Sequence, residues 1–346
     1  MKKVKLKELI NAKGKNYFIL AETAFSHEGS VAYLKQQIDA AIKGKADGVK
    51  FQILLDIEDS YTKNTEIFKN FNKWQISKAS WLSGIEYAKS KNLEVIVLPI
   101  DMKSLDFALE NLDTIDAIEI HSISFNQVPY IEKITQSKTV IILGIGGRTL
   151  EDIDFIMKEL EGVKANTIFM FGFQSFPTDY EKINLSKLWS LKERYNNTLG
   201  YADHTSFSEI MVGNEIVKFA YICGARLFEK HLVLEKGKQR IDYEAAVEYH
   251  DLIELRKELD SVIKILGDNN LSKLNDVELK YKNREKQLMA NEDLKAGDTL
   301  KGESIAYKVT TEKSDYEQKD YKDLLNKKLK KNIDKNNVFK RFHIDG

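Results

Sequence analysis

The chain has 346 residues, with 53 basic against 53 acidic side chains and a formal net charge of +0. This length suits one large domain with a small one beside it, and a balanced charge gives no overall field to attract nucleic acid or an anionic membrane. The N-terminal segment MKKVKLKELI lacks the apolar core of a signal peptide, and no run of about 18 apolar residues occurs, which predicts a cytoplasmic protein. The single cysteine, Cys223, excludes a disulfide framework.

Eight short runs rich in β-branched and aromatic residues recur along the first 235 residues. They occupy residues 17–24, 48–54, 93–100, 117–123, 139–146, 167–174, 198–204 and 226–234. Most of the segments between them carry apolar residues at helical spacing, and strand–helix alternation of this kind gives a parallel sheet. Eight repeats, with no GxGxxG turn after the first run, favour a closed (β/α)8 barrel over a doubly wound open sheet.

The composition changes after a long helical pattern that ends near residue 268. Residues 269–286 are rich in Lys and Asn, which predicts a linker. Residues 287–346 contain short β-like pieces separated by turns, which predicts a small β-rich domain. The predicted organisation is therefore a barrel over residues 1–268, a linker and a C-terminal domain over 287–346.

Polar residues gather at the predicted strand ends, where barrel enzymes carry their chemistry. Four histidines lie there: His27, His121, His204 and His231. Because strands seven and eight are neighbours, His204 and His231 are the pair best placed to bind a divalent metal. Hydrogen-bonded structural histidines are the alternative interpretation. Alternation along a strand also places Glu229 on the same face as His231 and turns Lys230 to the opposite face.

Lys50 and Gln52 share one face of the second strand, where an ammonium could hold a phosphate or a carboxylate. The alternative is a lysine that pairs with Glu22 or Glu119. Glu22 in turn is either a general acid or base, if burial raises its pKa, or the group that neutralises Lys50. The residues alone leave both alternatives open.

The strand-end motifs AETAFSHEG, VKFQ, SISFNQVP, GFQSFPT, GYADHT and FEKH, followed by RIDYEA, occur in that order. In this series the chain resembles the sialic-acid (N-acetylneuraminate) synthase family, and the resemblance covers nearly the whole sequence. The stretches MANEDLKAGDTLKGESIAYK and LNKKLKKNIDKNNVF resemble the C-terminal antifreeze-like domain of that family. The resemblance implies a (β/α)8 TIM barrel followed by a small antifreeze-like domain. It also implies a homodimer in which that domain reaches the partner barrel.

The reaction implied by the resemblance condenses phosphoenolpyruvate with an open-chain N-acetylhexosamine. C3 of phosphoenolpyruvate attacks the aldehyde, water adds at C2 and phosphate leaves, with manganese or magnesium at the aldehyde oxygen. By resemblance, the ligands of that metal are His204 and His231, and the residue near the reacting centre is Glu22. The contacts to phosphoenolpyruvate are Lys50, Gln52 and Ser122, and the contact to the sugar region is Asp242. Gln174 stands where the family has an asparagine or serine, and we expect it at a substrate-binding position.

Several positions depart from the family pattern. Glu119 stands where the family has a lysine, Gly144 and Ala202 where it has serines, Phe176 where it has a tyrosine, and Val309 where it has an arginine. A glutamate in place of a lysine turns attraction for a phosphate into repulsion. Arg148 in the GGRT loop and His121 are the expected compensation, and Lys308 is a candidate substitute for the arginine.

Three functions follow from these matches and departures. The first is a divergent nonulosonate synthase with an altered amino-sugar acceptor. The second is a different aldol-type condensation or lyase reaction on the same barrel, since the motifs are weakest around the donor phosphate. The third is a catalytically idle homologue that binds a sugar or a partner protein, although the presence of Glu22, Lys50, His204 and His231 argues against a decayed site.

Overall fold

The structure is a computed structural model that describes residues 4–11, 14–173, 175 and 177–345. Its contacts divide the chain into two compact units, with the boundary between Gly267 and Asp268. Among the described residues, no helix is both long and apolar enough to cross a membrane.

The first unit contains eight strands that each pair in parallel with the next along the chain. Their bounds are β1 Phe18–Glu22, β2 Gly48–Ile53, β3 Glu94–Pro99, β4 Ala117–Ile120, β5 Val140–Gly144, β6 Thr167–Phe171, β7 Thr198–Asp203 and β8 Ala225–Leu232. Pairing of β1 with β8 closes the sheet, and a short β9, Ala246–Val247, adds to the end of β8. The predicted eight-stranded parallel barrel is thereby confirmed.

Helices surround the barrel, and the first of them packs against its interior core. Their bounds are α1 Leu6–Asn11, α2 Val31–Lys43, α3 Ile57–Ser60, α4 Glu66–Lys73, α5 Lys78–Ser90, α6 Met102–Glu110, α7 Val128–Thr135, α8 Leu150–Glu159, α9 Lys187–Tyr195, α10 Ile210–Ile222 and α11 Tyr249–Leu266. Side-chain caps begin several of them: Ser30 accepts a backbone N–H at the start of α2, and Thr149 forms a capping box with Asp152 at the start of α8.

The strands are buried on both faces, which explains their nearly continuous apolar sequences. One core fills the barrel interior, where Phe18, Leu20 and Ile142 pack together with Leu6 and Leu9 of α1. A larger core lies between the sheet and the surrounding helices. Polar side chains accumulate at the carboxyl ends of the strands, so this end of the barrel is the place for a site.

The fourth strand is shorter than the predicted run over residues 117–123. It ends at Ile120, and His121 instead caps a 3-10 turn over Ser122–Ser124. The Nδ1 atom of His121 accepts a hydrogen bond from the backbone N–H of Ile123 at 3.2 Å. Side chains that bond to nearby backbone groups compete with the strand ladder, which accounts for the early end.

The second unit carries a small antiparallel sheet of β10, Gln287–Ala290, and β11, Ile305–Lys308. Its own apolar core includes Leu288, Leu300 and Phe339. Two further helices belong to this unit: α12, Asp276–Lys282, lies inside the predicted linker, and α13 spans Tyr321–Leu324.

Candidate active site

Three carboxylates surround one ammonium group inside the barrel mouth. The Nζ atom of Lys50 lies 2.7 Å from Glu22 Oε2, 2.9 Å from Glu119 Oε2 and 2.7 Å from Glu229 Oε2. These four residues come from β2, β1, β4 and β8, and all four side chains are buried. Closure of the barrel is what brings them together, since Lys50 and Glu229 are 179 residues apart in the chain.

The charges in this cluster perturb one another. Burial alone would lower the pKa of Lys50, but the neighbouring charges of Glu119 and Glu229 outweigh it, so the pKa lies above its ordinary value and the ammonium stays protonated. Burial raises the pKa of Glu119 to about 7; the Lys50 charge opposes this rise and the Glu229 charge adds to it. One ammonium therefore does not keep three buried carboxylates fully ionised at neutral pH.

The imidazoles of His204 and His231 lie beside this cluster, with ring centroids 5.1 Å apart. Burial lowers the pKa of both side chains, and for His231 the His204 and Lys50 charges lower it further, so both rings are neutral at physiological pH. Both rings line a cavity of about 40 Å³. The remaining lining of this catalytic cavity is Lys50, Gln52, Leu98, Glu119, His121, Ser122, Gly144, Gly146, Met170, Gly172, Phe173, Ala202 and Glu229.

The loop between β8 and β9 brings Asp242 towards this pair. Its Oδ2 atom is 3.9 Å from Nδ1 of His231, and its backbone has the left-handed value φ 61. Burial, and then the charge of Glu244, raises the pKa of Asp242 to about 6. Two residues earlier, Arg240 donates to the Ser26 carbonyl at 3.0 Å and to Glu28 Oε2 at 3.0 Å, which fastens this loop to the one after β1.

The side chains present fit a divalent metal that keeps open positions for solvent and substrate. Neutral imidazole nitrogens are common ligands of divalent transition-metal ions. No group of three or more His, Cys, Asp or Glu side chains arranged to hold a metal occurs in the part of the chain that the structure describes. The protein would thus supply two nitrogens, from His204 and His231, which is an open site rather than a closed structural one.

The predicted site residues take different places around the cavity. Gln52 and Ser122 line it directly, whereas Glu22 contacts Lys50 but is not part of the lining. Arg148 lines an adjacent, larger cavity of about 920 Å³, which shares Gly146 and Phe173 with the catalytic one. Gln174 lies outside the described residues.

Glu229 is the member of the cluster to which the sequence assigned no role. Alternation correctly put it on the face of His231 and turned Lys230 away from that face, and both carboxylate and imidazole line the cavity. Residues two positions apart on a strand share a face, so the position of Glu229 two residues before the candidate ligand His231 could have marked it as part of the site. The contact of Glu229 with Lys50 depended on barrel closure and had no local signal.

The chain is similar to several known proteins in sequence and in fold. The chain is 28% identical over 336 residues to a pseudaminic acid synthase of Campylobacter jejuni, covering 92% of this chain and 94% of the relative. An N,N'-diacetyllegionaminic acid synthase of the same species is 28% identical over 301 residues, covering 82% and 87%. Among solved structures, an N-acetylneuraminic acid synthetase of Leptospira borgpetersenii in complex with citrate matches with a TM-score of 0.70 and 27% identity, covering 78% of this chain and 93% of that one.

A family model agrees with these relatives. The model of the NeuB family matches residues 37–271, which include seven of the eight barrel strands and both imidazoles of the catalytic cavity. The chain therefore belongs to the NeuB family.

Proposed function

We propose that this protein is a nonulosonic (sialic-acid-like) acid synthase, which condenses phosphoenolpyruvate with an N-acetylated amino sugar and releases phosphate. The observation that carries the proposal is the protonated Lys50, held among three glutamates beside the neutral pair His204 and His231. Membership of the NeuB family and the acid synthases among its relatives support it.

The proposed reaction forms a bond between C3 of the donor and the aldehyde carbon of the open-chain sugar. Water adds at C2 of the donor, and the bond to phosphate breaks. His204 and His231 would hold a manganese or magnesium ion, whose chemistry when bound is Lewis-acid polarisation of the aldehyde. Lys50 contributes an ammonium that offsets part of the negative charge of the three glutamates around it. Because its pKa is raised, Lys50 is unsuited to act as a Schiff-base amine.

The donor phosphate needs a cation that the Lys50 cluster does not provide. Glu119 and Glu229 both engage the Lys50 ammonium, so an arriving phosphate meets net negative charge there. Arg148 is the candidate partner: it lines the cavity next door, and its charge is close enough to lower the pKa of His121. We therefore assign the donor phosphate to the Arg148 side of the site, with Ser122 at the cavity wall.

Replacing Arg148 with alanine tests this assignment. We expect the KM for phosphoenolpyruvate to rise by about tenfold or more, since a charge-assisted contact is lost, while the KM for the sugar changes little. Arg194→Ala is the matched control, because Arg194 lines the same larger cavity but binds Asp154 at 2.6 Å. An unchanged KM in Arg148→Ala would remove Arg148 from the donor site.

The function as a whole is tested by phosphate release from phosphoenolpyruvate with manganese across a panel of N-acetylated and di-N-acetylated hexosamines. Release that requires one sugar and disappears in His231→Ala establishes a synthase and identifies its acceptor. His250→Ala serves as the control, since His250 is exposed on α11. Absence of release with every sugar would contradict the proposal.

A second candidate function follows from the same carboxylates. A cavity with Glu119 in place of a cation favours a donor without a phosphate, so another aldol-type condensation or a lyase reaction fits the charge better. Carbon–carbon bond formation from pyruvate, without phosphate release, would favour this reading. Manganese binding without turnover of any donor would instead favour a sugar-binding or partner-binding homologue.

We further propose that residues 287–346 form an antifreeze-like domain and that the protein is a cytoplasmic homodimer. The small antiparallel sheet and separate core of the C-terminal unit support the first part. The second part rests on the resemblance of the whole chain to the synthase family.

A further inference from the structure

A buried ion pair lies on the outer face of the two strands that carry the imidazoles. The carboxylate of Asp203 in β7 binds the ammonium of Lys230 in β8, and these two residues are direct partners in the strand register. The exposed fraction is 0% for the Asp203 side chain and 2% for that of Lys230. Each partner immediately precedes one imidazole in the chain: Asp203 precedes His204, and Lys230 precedes His231.

The remaining hydrogen-bonding capacity of the carboxylate is also used. Oδ1 of Asp203 accepts from Thr205 Oγ1 at 2.6 Å and from the Tyr201 hydroxyl at 3.2 Å. Three donors, from β7, from β8 and from the segment after β7, thus meet one carboxylate directly behind the catalytic cavity. Such a network has few alternative arrangements, because any shift would leave a buried polar group without its bond.

The helix that packs outside the ion pair restricts the position of the pair. Gly213 in α10 faces the ion pair, and a Cβ atom at that position would lie 3.1 Å from Asp203 Oδ2 and 3.1 Å from Lys230 Nζ. A side chain at residue 213 would therefore require the ion pair or α10 to shift by a few tenths of an ångström. This contact explains a glycine inside a helix, where glycine costs stability.

Desolvation makes a buried ion pair a poor source of net stability, so stability alone does not account for this arrangement. What it does provide is a defined separation between two neighbouring strand ends. We propose that the Asp203–Lys230 pair is a positioning device that sets the distance and angle between His204 and His231. This inference rests on the proposed function, in which that pair holds the metal. Without the ion pair, the ends of β7 and β8 would relax and the spacing of the two imidazoles would change.

The test compares two double variants that each remove a whole buried ion pair and leave no unpaired charge. Asp203→Asn with Lys230→Met removes the positioning pair. Asp47→Asn with Arg256→Met removes a pair whose atoms lie 2.6 Å apart and which contacts neither imidazole strand. Manganese binding is measured by titration calorimetry on the full chain, with circular dichroism to confirm folding.

We expect the first double variant to bind manganese about tenfold more weakly or worse, as outer-shell substitutions do, and the second to stay within about twofold of wild type. Equal binding by the first variant and the wild type would overturn the proposal. Equal weakening by both variants would overturn it as well, since general destabilisation would then explain the effect.

A gentler pair of variants covers the case in which the double variant does not fold. Gly213→Ala presses on the ion pair, whereas Gly84→Ala in α5 meets only Leu34, at 3.7 Å. In metal-free protein, we expect the imidazole NMR signals of His204 and His231 to move in Gly213→Ala and to stay unchanged in Gly84→Ala. Unmoved signals in Gly213→Ala would overturn the inference.

The two readouts separate this inference from the proposed function. If wild-type protein binds no manganese, the proposed metal requirement fails, while the NMR comparison still decides whether the ion pair positions the imidazoles. If manganese binds and the variants behave as expected but no sugar is turned over, the positioning role holds and the proposed reaction fails.

Discussion

At the scale of single residues, Glu119 has the largest consequence for chemistry. It places a carboxylate 2.9 Å from the Lys50 ammonium, in a group that already contains Glu22 and Glu229. Its raised pKa, about 7, means that its ionisation changes the charge of the site within the physiological range. Gly144 leaves open the space next to this carboxylate, since a Cβ atom there would lie 3.7 Å from Glu119 Oε1.

The ionisation of Glu119 predicts a pH-dependent affinity for an anionic donor. Below about pH 7 the carboxyl is neutral, and above it the added negative charge repels the donor. We expect the KM for phosphoenolpyruvate to rise about tenfold between pH 6 and pH 8. Glu119→Gln should abolish most of this rise, while ionisation of the substrate phosphate affects both proteins equally. Parallel KM profiles in the two proteins would refute the assignment.

His27 predicts a loss of stability in acid. It is fully buried, its Nδ1 atom accepts from the Gly29 N–H at 3.0 Å, and burial lowers its pKa from 6.5 to about 4. Because the pKa of this histidine is lower in the folded than in the unfolded state, the stability it contributes is present above pH 6.5 and is lost as the pH falls towards 4. The advantage of wild type over His27→Gln in the free energy of unfolding should shrink by about 2 kcal/mol between pH 7 and pH 5. Denaturant titrations of the two proteins at pH 7 and pH 5 measure this difference.

At the scale of elements, the ends of three neighbouring strands approach one another unusually closely. A Cβ atom on Gly146, after β5, would lie 1.9 Å from the carbonyl oxygen of Gly172, after β6. A Cβ atom on Gly172 would lie 2.3 Å from the carbonyl oxygen of Ala202 in β7. All three residues line the catalytic cavity, so these contacts bring the backbone itself to the mouth of the barrel.

This close approach predicts a sharp response to Gly146→Ala. The new methyl group meets backbone rather than a movable side chain, so the loops after β5 and β6 must separate. We expect a loss of about 2–3 kcal/mol in the free energy of unfolding, together with reduced turnover, because the cavity wall moves. Gly162→Ala, whose Cβ atom meets nothing within 4 Å, should be nearly neutral. Thermal unfolding that shows the two variants to be alike would contradict this contact.

At the scale of the whole molecule, the C-terminal unit poses the question of assembly. The synthase resemblance implies that this unit completes the site of a partner barrel. The family has an arginine at the position of Val309, and the neighbouring Lys308 in β11 is its candidate substitute. Lys308 Nζ is 2.5 Å from Asn336 Oδ1 within its own unit. A dimer would have twice the 39.8 kDa mass of the chain.

Subunit complementation tests this arrangement. His231→Ala and Lys308→Ala are each expected to be weakly active or inactive alone. Co-expressed, they should recover about a quarter of wild-type activity, because half of randomly paired dimers carry one intact site. The control is a chain that carries both substitutions, co-expressed with a differently tagged copy of itself. This control should recover no activity. Absence of recovery in a confirmed dimer would place Lys308 outside the partner site.

The sequence by itself determined the barrel and the end of it at which polar side chains gather. Eight apolar runs with amphipathic segments between them admit few arrangements, and alternation along each strand correctly gave the face of Lys50, Gln52, Glu229 and His231. These inferences needed only local periodicity, which tertiary contacts did not override. Strand ends were the weaker part, as the turn after Ile120 showed, because side-chain bonds to the backbone compete with the ladder there.

Only the tertiary structure decided which charges meet. From the residues, Lys50 could bind a substrate anion or pair with one of two glutamates, and the fold joins it to Glu22, Glu119 and Glu229 at once. The structure likewise put Arg148 in the neighbouring cavity and set the Asp203–Lys230 pair behind the imidazoles. Barrel closure juxtaposes strands that are far apart in the chain, and burial then shifts the pKa of each group according to neighbours that no local pattern specifies.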